Sequence, residues 1–143
     1  MSDEKLTLLG RSEHKLPQSP DEAKLETFSN RTPDRNYRIR LRAPEFSSIC
    51  PVTGQPDCAH LEITYVPDQL CVETKSLKFY LASFRNFSAF NEVIVNRILD
   101  DLVTACAPRQ MHVRGEFGPR GGIQLTCEAR FPDWGGGEKV SLQ

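Results

Sequence analysis

The order in which hydrophobic periodicity changes along the chain constrains its fold more than any other feature. Tyr37, Ile39, Leu41 and Ala43 alternate with Arg38, Arg40 and Arg42, and Leu61, Ile63 and Tyr65 alternate with His60, Glu62 and Thr64. A period of two puts one set on a buried face and the other in water, so each run predicts a half-buried strand. The period then lengthens. Leu77, Tyr80, Leu81 and Phe84 predict a helix over Ser76 to Arg85. Phe90, Ile94, Ile98, Leu102 and Cys106, with Val93 beside them, predict a second from about Ala89 to Cys106. Ser88 is its expected N-cap, and Glu92 suits the positive end of its dipole. Period two returns in Met111, Val113 and Phe117 and again in Ile123, Leu125, Cys127, Ala129 and Phe131, on either side of a hairpin loop, Gly118-Pro119-Arg120-Gly121-Gly122.

Strand, strand, helix, helix, strand, strand reads as an α+β fold, an antiparallel four-stranded sheet with two helices on one face. Such a sheet has two open edges that invite pairing with other subunits, so a homo-oligomer closed into a ring or barrel is expected. The domain spans residues 37–131. Residues 1–36 are polar, contain Pro17, Pro20 and Pro33, and read as a mostly irregular arm draped over a neighbour. Residues 132–143, with Gly135-Gly136-Gly137, read as a flexible tail.

A chain of 143 residues suits one domain with a modest core. A net charge of −1 gives no general attraction to nucleic acid or anionic membrane, and the stripe of Arg38, Arg40 and Arg42 faces Glu62 across the sheet. No apolar run is long enough to span a bilayer. The first residues lack the basic-then-apolar pattern of a secretory signal. Five cysteines, an odd number without close pairs, point to a reducing cytoplasm rather than a disulfide framework.

Chemistry concentrates in Phe46-Ser47-Ser48-Ile49-Cys50-Pro51-Val52-Thr53-Gly54-Gln55-Pro56-Asp57. Pro51 and Pro56 remove backbone donors and Gly54 frees a turn, so this stretch is expected to be a rigid loop, neither helix nor regular strand. It offers Cys50 as a nucleophile and Asp57 as a proton donor, against the plainer alternatives of a buried cysteine and an acid that satisfies turn amides. In Glu73-Thr74-Lys75-Ser76-Leu77-Lys78, Thr74 or Ser76 is the expected helix cap. Lys75 and Lys78 share a face able to hold a phosphate-bearing ligand, or simply a solvated charged face. Glu92 can accept two parallel hydrogen bonds from a guanine-like edge, or serve only its helix dipole. Cys50, Cys58, His60 and Cys71 lack the short paired spacing of a structural zinc site, so no metal is expected.

These residues together, Phe46 to Asp57, then Glu73 to Lys78, then Ser83-Phe84-Arg85-Asn86, resemble the NADPH-dependent 7-cyano-7-deazaguanine reductases of queuosine biosynthesis in their short, single-module form. The resemblance covers about Tyr37 to Phe131. It implies the tunnelling fold assembled into rings, and four-electron reduction of a nitrile to a primary amine with two NADPH. It implies Cys50 as the nucleophile that forms a covalent thioimide and Asp57 as the proton donor. Val72, Glu73 and Thr74 would contact substrate, with Asn91 and Glu92 completing the pocket, and Lys75, Ser76 and Lys78 would serve NADPH. Asn91 stands where the family usually has His, so it can hydrogen-bond but not titrate. The same fold also serves zinc-dependent cyclohydrolases and amide-transferring enzymes, and a base-binding module without catalysis is a further alternative.

Overall fold

The computed structural model describes residues 16–134. The chain forms β1 (Thr27–Ser29), β2 (Ile39–Ile49), β3 (Pro56–Val66), β4 (Leu70–Val72), α1 (Thr74–Ala82), a 3-10 turn (Ser83–Asn86), α2 (Asn91–Cys106), β5 (Gln110–Phe117) and β6 (Thr126–Phe131). The main sheet is antiparallel in the order β2-β3-β5-β6. Both helices cover one face. Leu61, Ile63, Tyr65, Met111 and Val113 from the sheet meet Leu77, Tyr80, Phe84, Ile94, Ile98 and Leu102 from the helical segments in one core. The opposite face carries charge. Arg40 and Arg42 both reach Glu62, at 3.6 and 3.2 Å, and His112 and Arg114 reach Glu128.

Three local expectations are corrected. Only half of the stretch Phe46 to Asp57 is loop, because β2 and β3 run on until the turn from Cys50 to Gln55 is all that is left between them. A bulge makes this possible. Ala43 pairs with Leu61 and Phe46 with Ala59, so β2 carries one extra residue at Pro44–Glu45. Inward-facing positions therefore change from odd (Ile39, Leu41, Ala43) to even (Phe46, Ser48), which breaks the simple alternation at Ala43. Secondly, Ser88 does not cap α2. It lies in extended chain bridged to Ile49, with Ile49 N–H donating to Phe87 O at 2.9 Å and Ala89 N–H to Ile49 O at 3.3 Å. Phe90 occupies the cap position and offers no side-chain acceptor. Thirdly, neither Thr74 nor Ser76 caps α1. The Glu73 carboxylate does, accepting from Lys75 N at 2.6 Å and Ser76 N at 2.9 Å.

Residues 16–36 dock on their own chain. β1 pairs with β4, Glu73 N–H donates to Glu26 O, and Asp21 meets Arg97 at 2.7 Å. Arg109 gathers Asn36, Asp68 and the carbonyl of Pro33. The tail with Gly135-Gly136-Gly137 lies outside the described residues. Ile123, expected on the last strand, sits in the preceding turn and is 74% exposed.

Candidate active site

The turn from Cys50 to Gln55 is closed by its own backbone. Cys50 N–H donates to Gln55 O at 2.8 Å and Gly54 N–H to Cys50 O at 2.9 Å, with Gly54 at φ 71° where a side chain would be strained. This folds Thr53 back over Cys50. The Thr53 hydroxyl, then the backbone N–H groups of Thr53 and Val52, stabilise a sulfur anion and hold the Cys50 thiol below its ordinary value. Partial burial and the charge of Asp57 push the other way and lose. All five cysteines are free thiols. Burial pushes Cys106 up to about 11, and burial with the nearby charge of Glu92 raises Cys127, so neither of these is poised as a nucleophile.

Asp57 stands beside Ser48 in the β2–β3 register, and directly paired residues share a sheet face. Ser48 is fully buried on the helix side, and the Asp57 side chain is only 11% exposed. The acid therefore looks toward the helices at the end of the sheet that carries Cys50. The bridge between Ile49 and Ser88 ties that end to the start of α2, three residues before Asn91. Asn91 Oδ1 and Ser48 Oγ are both buried without a hydrogen-bond partner among the described residues. Buried orphans of this kind are rare unless a ligand or water completes them. Glu92 is exposed in the first turn of α2, close enough to β6 for its charge to act on Cys127. Cys50, Asp57, Asn91 and Glu92 thus belong to one end of the molecule.

The other expected residues lie elsewhere in the chain. The Tyr65 hydroxyl accepts from Val72 N–H at 2.9 Å, which fixes Val72, Glu73 and Thr74 near the far end of β3. From Asp57 to Ile63 or Tyr65 is six to eight strand steps, about 20–27 Å. Thr74 and Lys78 line a cavity of about 540 Å³ between α1 and β2, with Arg42 and Arg85 on its rim and Leu41, Leu77 and Leu81 among its walls. Lys75 and Lys78 are exposed and carry no ion pair among the described residues. Ser76 is buried, its hydroxyl accepting from Glu26 N–H at 2.9 Å and donating to Glu73 O at 2.8 Å.

One residue not singled out from sequence completes the Cys50 end. Arg120 reaches across from the loop between β5 and β6. Its Nε lies 2.9 Å from Asp57 Oδ1, its Nη1 donates to Gln55 Oε1 and its Nη2 to Pro56 O.

A family model described as QueF-like protein matches residues 56–134. The chain is 50% identical over 129 residues to the NADPH-dependent 7-cyano-7-deazaguanine reductase of Nitrosococcus oceani, covering 89% of this chain and 99% of that protein. It is 53% identical over 120 residues to the enzyme of that name from Alkalilimnicola ehrlichii, covering 82% and 93%. Among solved structures, the archaeosine synthase QueF-Like in its apo form superposes with a TM-score of 0.61 at 19% identity, over 65% of this chain and 91% of that one, a likeness that carries the tunnelling fold alone.

Proposed function

Because the chain belongs to the QueF-like family, we propose that it reduces the nitrile of 7-cyano-7-deazaguanine to the primary amine of 7-aminomethyl-7-deazaguanine with NADPH, a step of queuosine biosynthesis. The observation that carries the reading is the Cys50 turn, in which a hydroxyl and two backbone amides stabilise a thiolate beside a half-buried acid. The Cys50 sulfur supplies the electron pair of a new S–C bond to the nitrile carbon. One C–N π bond opens, and the nitrogen takes its proton from Asp57, giving a thioimide. A nitrile carbon is a poor hydride acceptor until this addition has occurred, so covalent attachment divides one hard step into easier ones. NADPH, when bound, supplies a hydride in each of two rounds.

Glu92, exposed in the first turn of α2, would accept the ring N–H and exocyclic amine of the base, and the unpartnered Asn91 Oδ1 supports a direct contact from that residue. Val72, Glu73 and Thr74 complete the substrate pocket. The cavity beside α1, where Lys78, Arg42 and Arg85 offer cationic charge over apolar walls, supports a dinucleotide site to which Lys75, exposed at the start of α1, would add its charge, while Ser76 fixes the turn that presents the two lysines. The separation of Glu73 from Cys50 within one chain supports a ring-type homo-oligomer in which a neighbour supplies Glu73. No helix among the described residues is long and apolar enough to cross a membrane. The reading is of a cytoplasmic enzyme acting on a small molecule, with no direct nucleic-acid partner.

The test is direct. Purified protein is expected to oxidise NADPH only when the nitrile is present, and without NADPH to gain the mass of one whole substrate. Cys50→Ala removes both signals. A Cys50→Ala protein that still turns over defeats the mechanism.

A further inference from the structure

Nitrile addition needs two atoms of the protein at once, a sulfur at the carbon and a proton source at the neighbouring nitrogen. Both come from the ends of one turn, and that turn has a weak point. Ile49 faces Pro56 on the rung nearest the turn, but both backbone groups of Ile49 point away from it, to Phe87 O and Ala89 N–H. The rung therefore has no backbone hydrogen bond of its own where Cys50 and Asp57 must be held in a fixed relation.

Arg120 closes that gap. Its three guanidinium nitrogens meet acceptors on three consecutive residues, the Gln55 side chain, the Pro56 carbonyl and the Asp57 carboxylate. The planar fork of arginine suits such a set, and lysine cannot reproduce it. The loop that delivers it is tightly specified. Arg120 and Ile123 exchange backbone hydrogen bonds at 2.8 and 3.0 Å around Gly121 and Gly122, whose φ angles of 57° and 79° match the primed hairpin turns that favour glycine. Gly118 N–H donates to Cys58 O at 2.9 Å, fastening the same loop to β3. An exposed ion pair alone contributes little. Here the acid is mostly enclosed and two further acceptors are engaged.

We infer that Arg120 is a positioning residue for the reaction proposed above, on which this inference rests. It fixes Asp57 relative to Cys50, and it neutralises the carboxylate left on Asp57 once the proton has passed to the nitrile nitrogen.

The experiment follows covalent adduct formation without NADPH in three full-length proteins, wild type, Arg120→Gln and Arg120→Lys. Binding of the nitrile is measured separately in the Cys50→Ala background with and without Arg120→Gln. Arg120→Gln is expected to slow adduct formation on the order of 10- to 100-fold, as misplaced reacting groups do. The dissociation constant should change less than about threefold, since Arg120 touches none of the base-holding residues. Arg120→Lys, which retains the charge but not the fork, should recover part of the rate. Adduct formation at the wild-type rate in Arg120→Gln overturns the inference, as does a loss of affinity that accounts for the whole loss of rate. Wild-type protein that forms no adduct overturns the Cys50 chemistry itself, and this inference with it.

Discussion

Two inactive proteins should make an active one when mixed. One carries Cys50→Ala, the other Glu73→Gln. Cys50 and Asp57 mark one end of the sheet, whereas Glu73 follows Val72, whose N–H is held by the Tyr65 hydroxyl at the other. Six to eight residues of strand separate the ends, about 20–27 Å, so Glu73 of the same chain does not meet a base attached to Cys50. If a neighbour supplies it, each site needs Cys50 from one subunit and Glu73 from the next. In an equal, random mixture half the subunits retain Cys50 and half the neighbours retain Glu73, so about one site in four is complete. Co-expression or co-refolding followed by nitrile-dependent NADPH oxidation should therefore recover about a quarter of wild-type activity per site. The doubly substituted chain mixed equally with wild type provides the control, with about a quarter expected for sites shared between chains and about half for sites within one chain. Mixed oligomers, verified by mass, that remain as inactive as either parent would refute the shared site.

Three further outcomes follow from the geometry. Thr53→Val removes the strongest stabiliser of the Cys50 thiolate, so the thiol must move up from its lowered value. The pH midpoint of Cys50 alkylation, followed by site-resolved mass spectrometry, should rise, and an unchanged midpoint contradicts the assignment. Gly115→Ala places a methyl 2.9 Å from Phe117 Cε2 and Val95 Cγ2 where β5 lies under α2, which should cost about 1–3 kcal/mol and lower the melting temperature by roughly 3–5 °C per kcal/mol. Ala107, the C-cap of α2, sits at φ 45°. Glycine tolerates that conformation, so Ala107→Gly should stabilise by about 0.5–1 kcal/mol in denaturant titration, despite the freer unfolded chain.

The helices and the sheet were readable because each carries a period that survives without knowledge of its partners. Leu77 to Phe84 and Ile94 to Cys106 show theirs directly. The continuation of β2 was not readable, because the extra residue at Pro44–Glu45 inverts the alternation and a proline conventionally marks an end. The cap by Glu73 was hidden because glutamate is an uncommon N-cap beside a threonine and a serine. The Cys50 end of the site was legible, since Cys50 and Asp57 are close in sequence. Arg120 was not, because its acceptors lie 63 to 65 residues away and only the Gly121-Gly122 pair after it hinted at a tight, purposeful turn.

The bulge on β2 works as a phase shifter. Without its extra residue, Phe46 and Ser48 would point away from the helices, and every position up to Cys50 would advance by one step, about 3.4 Å, against β3. The thiol would then face the other side of the sheet from the acid it works with. A deletion at Pro44–Glu45, well before the Cys50 turn, is thus equivalent to moving the nucleophile, and the edge of the sheet acts as the vernier on which the reaction is set.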